Sequence, residues 1–314
     1  MNAAGRLGLT AAALIAAFAA AYATAAAVVP GGQAAQHEEG NGMNTHDHGS
    51  MDPNTTGTGA DAPAGGHEGH GSDAPAGLSL AAGGYALTPV AAPRAVGEAG
   101  ELSFRILDAA GAPVTAYEPQ HEKELHLIVV RSDGTAFRHV HPVLDASAGT
   151  WSIPWTWDAA GTYRVFADFA PTGGEAQTLT RTVDVAGAFA PAVPATSATT
   201  SVDGFDARIT GDLVAGAESD LTVTISRNGA PVTGLEPYLG AFGHLVALRE
   251  GDLAYLHVHP EGASPEPGAT SGPDVGFAAH VPTAGRYLLF FDFQVDGVVR
   301  TASFALDATA PAHH

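Results

Sequence analysis

The amino-acid sequence predicts an all-β protein: two tandem immunoglobulin-like β-sandwich domains from an internal duplication, preceded by an N-terminal membrane or signal helix and a disordered His-rich linker. Three observations lead there. One block of residues recurs at a constant spacing, and apolar positions inside each copy alternate with period two. Pro, Gly and Asp-Gly punctuation arrives every 8–12 residues, without any capped helical stretch. Roughly seven short strands in about 105 residues per copy is the pattern of a sandwich.

Residues 1–29 come first. Arg6 is the only charged side chain before a 23-residue uncharged run, Leu7–Val29, of which twelve residues are Ala. The run reaches the roughly 20 residues that span a bilayer. Ala21-Tyr22-Ala23 and Ala23-Thr24-Ala25 also offer cleavage sites of the signal-peptide type. The segment is therefore either a single-pass membrane anchor or a cleaved signal. Both leave Arg6 inside and export the acidic remainder, as extracytoplasmic domains on the cell membrane or as a secreted protein.

Residues 30–82 read as the linker. No Phe, Trp or Tyr occurs between Pro30 and Gly84, so the segment cannot bury enough apolar surface to offset its chain entropy. It carries His37, His46, His48, His67 and His70 beside carboxylates, with Met43 and Met51 nearby. Such tracts capture divalent cations weakly; the plainer alternative is a solvated acidic spacer.

The duplication comes next. Gly111-Ala-Pro-Val-Thr-Ala-Tyr-Glu-Pro119 returns as Gly229-Ala-Pro-Val-Thr-Gly-Leu-Glu-Pro237, an offset of 118 (229 − 111) that also relates His126 to His244, His139 to His257 and His141 to His259. Ala160-Gly161 then matches Ala284-Gly285 at an offset of 124 (284 − 160), so the second copy holds six extra residues between Glu261 and Pro273. Domains are expected at 83–186 and 201–308, joined by 187–200 and followed by a tail, 309–314. Leu102-Ser-Phe-Arg-Ile-Leu and Leu221-Thr-Val-Thr-Ile show the strand alternation most clearly.

One hairpin can be registered from spacing. Asp133-Gly134 is a two-residue turn signal between apolar runs. Pairing about it sets His126 opposite His141 and Ile128 opposite His139; the equivalent turn at Gly251-Asp252 sets His244 opposite His259. Alternation places His126, His139 and His141 on one face with Ile128, Val130 and Phe137, read as the inward end of the sandwich. Cross-strand Cβ atoms lie about 4.5–5.5 Å apart, near enough for imidazoles to converge on an ion at about 2.0–2.1 Å. Three inward neutral rings would otherwise all need hydrogen-bond partners. Metal ligation by His126, His139 and His141, and again by His244, His257 and His259, is the expectation, one ion per domain. Asp168 and Asp292 align between the copies and could ligate, accept from a ligating ring, or pair with Arg131 and Arg249. His121 and His280 have no counterpart and read as incidental; Trp151, Trp155 and Trp157 read as packing.

Composition narrows the function. The 314 residues contain 13 Lys+Arg against 33 Asp+Glu, a formal charge of −20, with no basic run. Nucleic acid is excluded as a partner, because phosphate binding needs clustered Lys and Arg. The absence of Cys excludes disulfides, thiolate zinc sites, iron–sulfur clusters and blue copper. No Ser/His/Asp spacing, phosphate loop or nucleotide motif is visible, so a binding protein is expected rather than an enzyme. Imidazole ligation with an optional carboxylate suits Cu(II) or Zn(II), and Cu(II) exceeds Zn(II) in the affinity order.

The motifs His126-Leu-Ile-Val with His139-Val-His141-Pro, and His244-Leu-Val-Ala with His257-Val-His259-Pro, stand in a duplicated sandwich behind a membrane segment and a His-rich leader. Over residues 100–308 this resembles exported heavy-metal-binding proteins of actinobacterial type, loosely similar to CopC/YtkA-like periplasmic copper-handling sandwiches. The resemblance implies copper buffering, resistance or transfer in the cell envelope, with a protein partner receiving the ion and the six hairpin histidines as metal positions. The His-Val-His strand also resembles copper/zinc superoxide dismutase, but the bridging-His zinc loop and disulfide are missing. A zinc-binding module, a copper redox enzyme and a metal-free cell-surface interaction protein are the alternatives.

Overall fold

The computed structural model describes residues 77–256, 258–266 and 268–311. The N-terminal apolar segment, the linker histidines His37, His46, His48, His67 and His70, and the hairpin residue His257 lie outside the described residues. The described residues form no helix; none is therefore long and apolar enough to cross a membrane.

The first repeat consists of β1 (Ala81–Ala82), β2 (Tyr85–Leu87), β3 (Gly100–Leu107), β4 (Tyr117–Glu118), β5 (Leu125–Arg131), β6 (Arg138–Val140), β7 (Val143–Asp145), β8 (Thr150–Trp155), β9 (Gly161–Pro171) and β10 (Gln177–Val185). The second consists of β11 (Thr199–Val202), β12 (Phe205–Thr210), β13 (Glu218–Arg227), β14 (Ala230–Pro231), β15 (His244–Arg249), β16 (Tyr255–Leu256), β17 (Val258–Pro260), β18 (Asp274–His280), β19 (Gly285–Val295) and β20 (Val298–Ala308). Order therefore begins slightly before the expected boundaries: β1 lies in the stretch assigned to the linker, and β11 starts inside the expected joint.

Each repeat is two antiparallel sheets. In the first, β1-β2-β3-β8-β7 faces β10-β9-β5-β6; in the second, β11-β12-β13-β18-β17 faces β16-β15-β19-β20. Period-two alternation puts Leu102, Phe104 and Ile106 of β3 into the first core, where they meet Trp151 and Trp155 of β8 and Leu125, Leu127 and Val129 of β5. Trp157 joins this core and satisfies its indole by donating to the Pro93 carbonyl at 2.7 Å. The second core repeats the scheme with Leu221, Val223, Phe277 and Phe291.

The sheets containing β5 and β15 break the alternation. Every residue of β5 is buried, and β19 is buried from Tyr287 to Phe293. Strands covered on both faces read as continuous apolar runs. One face covers each sandwich core. The other forms a third core shared by the repeats, from Ile128, Val130 and Phe166 on one side and Val246, Leu248, Tyr255, Leu288 and Phe290 on the other. Phe137 stacks on Phe290 at 3.9 Å, and the residues equivalent to them by the repeat offsets, Tyr255 and Phe166, meet at 5.8 Å. The repeats thus pack through equivalent faces, about a pseudo-twofold axis. This corrects the expected inward orientation of the histidine face: it looks into the neighbouring repeat, because β5 has its own core on the opposite side.

The expected hairpin register is present at Ile128↔His139 and Leu127↔Val140, and at Ala247↔Leu256 in the second repeat. The copies then diverge. Val140 pairs with Leu127, whereas its equivalent Val258 has crossed to the other sheet and pairs with Ala279. Alternation on that strand buries Val258 in the core and turns His259 into solvent.

Candidate metal centre

Three histidines of the first repeat converge at its face toward the second. β5 presents His126, which is 2% exposed, β6 presents His139, and His141 follows at the end of β6. His126 Nδ1 lies 2.9 Å from His139 Nε2 and 3.2 Å from His141 Nε2. One ligand nitrogen from each ring falls within 4.8 Å of the others.

The second repeat closes the cluster. The ring of His244, at the start of β15, stacks on His126 with centroids 5.7 Å apart and lies 5.1 Å from His139. Asp292, opposite His244 on β19, accepts from His139 Nδ1 at 2.7 Å and takes the Thr301 hydroxyl on its other oxygen. His121, expected to be incidental, places its ring 5.3 Å from His244 and 6.1 Å from His126.

The outer hydrogen bonds decide which nitrogens are bare. His126 Nε2 faces the Gln120 carbonyl at 2.8 Å, which can only accept, so Nε2 carries the proton and Nδ1 presents a lone pair. His139 Nδ1 donates to the Asp292 carboxylate; in the neutral ring this leaves His139 Nε2 bare. With both rings neutral, two lone pairs point at each other across 2.9 Å, with His141 Nε2 beside them. Neutral rings in that arrangement repel unless a cation lies between them. A proton on His126 is disfavoured: burial, reinforced by His139, lowers its pKa to about 4. Burial with His139 and His126 lowers that of His141 to about 3, and burial holds His244 well below the ordinary histidine value. A tetrahedral ion with bonds of about 2.0–2.1 Å separates its ligand nitrogens by about 3.3–3.4 Å, so the pocket need open by only about half an ångström. Ligating rings that donate their other N–H to a carboxylate or a carbonyl are the usual outer arrangement of such sites.

The remaining candidates fall elsewhere. The first expected triplet converges within its repeat, but the second is divided: His244 joins the histidines of the first copy, while His259 is exposed on the outer sheet. Asp168, the cross-strand partner of His126 on β9, accepts from Thr178 at 2.9 Å and from Tyr255 at 3.5 Å. The expected arginine partners, Arg131 and Arg249, bind Asp133 and Asp252. His280 is exposed opposite Glu218 on β13. Sequence reasoning missed Gln120 and His121. The sequence carries no signal for them: Gln120 and Lys123 bridge a tight turn whose central residues His121 and Glu122 have φ of 47° and 67°, where Asn-Gly would be the readable pair.

Similar proteins are distant. A crystal structure of a DUF4426 family protein from Pseudomonas aeruginosa is 13% identical, covering 37% of this chain and 98% of its own, with a TM-score of 0.26. Salmonella alpha-2-macroglobulin reacted with methylamine is 17% identical over 74% of this chain, with a TM-score of 0.24; the chain spans 16% of that protein's length. Invasin, a bacterial integrin-binding protein, is 13% identical over 72% of this chain and 39% of its own, with a TM-score of 0.22. No curated protein sequence matches. One family model matches twice, at residues 81–187 and 200–310, and the chain belongs to that family, a domain of unknown function termed DUF8832.

Proposed function

We propose that this protein binds one divalent metal ion between its two repeats, copper(II) before zinc(II), and serves to buffer or pass on that ion in the cell envelope. His126, His139 and His141 are the ligands from the first repeat. His244 stands next to them from the second, and Asp292 fixes the His139 ring. The observation that carries the reading is the convergence of His126 Nδ1, His139 Nε2 and His141 Nε2, with acceptors on the far sides of His126 and His139. Among divalent ions, all-nitrogen donors favour Cu(II) over Zn(II). The envelope location rests on the apolar run Leu7–Val29 and the acidic composition of the rest of the chain. Each two-sheet repeat is read as immunoglobulin-like in architecture. Metal analysis of the purified chain after exposure to Cu(II) and dialysis tests the proposal. It expects one tightly held ion per chain, lost in a His126→Ala, His139→Ala double variant. A chain that refuses both Cu(II) and Zn(II) would leave a metal-free interaction protein as the better reading.

A further inference from the structure

The buried triad needs a way to exchange its ion, and one side of the cluster offers it. A cavity of about 390 Å³ opens in the second repeat, bordered by Phe242, the carboxylates Glu261 and Asp274, and Ser271, and the one first-repeat residue lining it is His121. His121 is exposed, yet its ring is 5.3 Å from that of the buried His244, so it belongs to the cavity and to the cluster at once. Its backbone conformation is costly. His121 and Glu122 are consecutive non-glycine residues at positive φ, where an Asn-Gly pair would be at ease. Such strain persists where the surroundings over-determine it and clusters at functional positions. The same turn also supplies the Gln120 carbonyl that sets the His126 tautomer.

Resting on the metal reading above, we infer that His121 is the intake ligand: it takes a hydrated divalent cation from the Glu261–Asp274 cavity and hands it to His244 and the triad. The carboxylates raise the local cation concentration without holding it in a fixed geometry. His121 replaces bound water on the cation with one imidazole before the buried ligands complete the exchange. His121 sits exposed on a turn, whereas His126 and His244 are buried on β5 and β15.

The test is stopped-flow loading of the full chain with Cu(II), followed by release to excess chelator, in wild type and in His121→Asn. Asn is chosen because it tolerates positive φ, so the turn keeps its shape. His280→Asn, exposed on β18, is the control. The expected result is one ion per chain and an affinity within about threefold of wild type for His121→Asn, while loading and release both slow by about tenfold or more. Glu261→Gln with Asp274→Asn should slow loading alone and make it less sensitive to salt. Unchanged rates in His121→Asn would overturn the route but leave the site standing. Loss of the ion itself would make His121 a resident ligand and overturn the hand-off. A wild-type chain that takes up no Cu(II) or Zn(II) would overturn the site and the route together.

Discussion

Replacing Asp292 by Asn changes one atom in the second repeat, and the consequence should appear on a ligand of the first. Asp292 is 2% exposed and accepts two hydrogen bonds, from His139 Nδ1 at 2.7 Å and from the Thr301 hydroxyl. An amide cannot do both. If its oxygen stays with Thr301, its NH2 faces His139 Nδ1. The ring must then carry its proton on Nε2, the nitrogen that faces His126. If the amide turns over, Thr301 loses its acceptor inside the protein. The carboxylate also enriches the ring in electron density, and the amide does so less. Removing such an outer partner generally weakens metal binding 10–100-fold, equivalent to about 1.4–2.7 kcal/mol. Competition titration of Cu(II) against a coloured chelator at pH 7 reads this directly. Thermal melts of the metal-free proteins should differ far less than the affinities. An affinity within about twofold of wild type would refute the argument, since the range for outer partners starts near tenfold.

Other expectations rest on the same geometry. His244→Ala should weaken the bound ion, whereas His259→Ala, on the exposed face of the outer sheet, should leave ion number and affinity unchanged; calorimetry distinguishes them. Phe290→Ala removes the partner stacked on Phe137 in the shared core and should cost about 3–5 kcal/mol in denaturant unfolding. It should also split a single transition into two; one unshifted transition would show that the shared core does not couple the repeats. Acid should destabilise the metal-free protein. The His126 ring resists protonation when folded but accepts a proton near pH 6.5 when unfolded, so stability is complete above about 6.5 and falls as pH drops toward 4. The gap between 6.5 and about 4 amounts to about 3 kcal/mol for His126 alone. A melting temperature that stays flat or rises between pH 7 and 5 would contradict the neutral, buried state of the ring.

Much of this was legible before any coordinates. The repeat offset and the turn signal at Asp133-Gly134 were enough to register Ile128 with His139 and Ala247 with Leu256, because side-chain alternation makes a register error throw the whole apolar set onto the wrong face. Two features needed three dimensions. The shared core between the repeats was visible only as an oddity: β5 runs Leu-His-Leu-Ile-Val-Val without alternating, which means both faces are covered but does not say by what. Local pairing arguments count one partner strand and cannot see a second sheet. His259 was misplaced for a related reason. The hairpin register holds as far as Leu256, and then Val258 leaves for β18, a choice between two neighbours that sequence spacing does not encode. His121 has no counterpart in the second copy, so the repeat carries no signal for it. A site at a pseudo-twofold axis is nevertheless free to use the copies unequally.

The most direct measurement is a crystal structure of the Cu(II)-loaded chain with diffraction recorded at the copper absorption edge. The account predicts one anomalous peak per chain, about 2.0–2.1 Å from His126 Nδ1, His139 Nε2 and His141 Nε2, with Asp292 still bonded to His139. A peak in each repeat, a peak at His259, or no peak between His126 and His139 would contradict it.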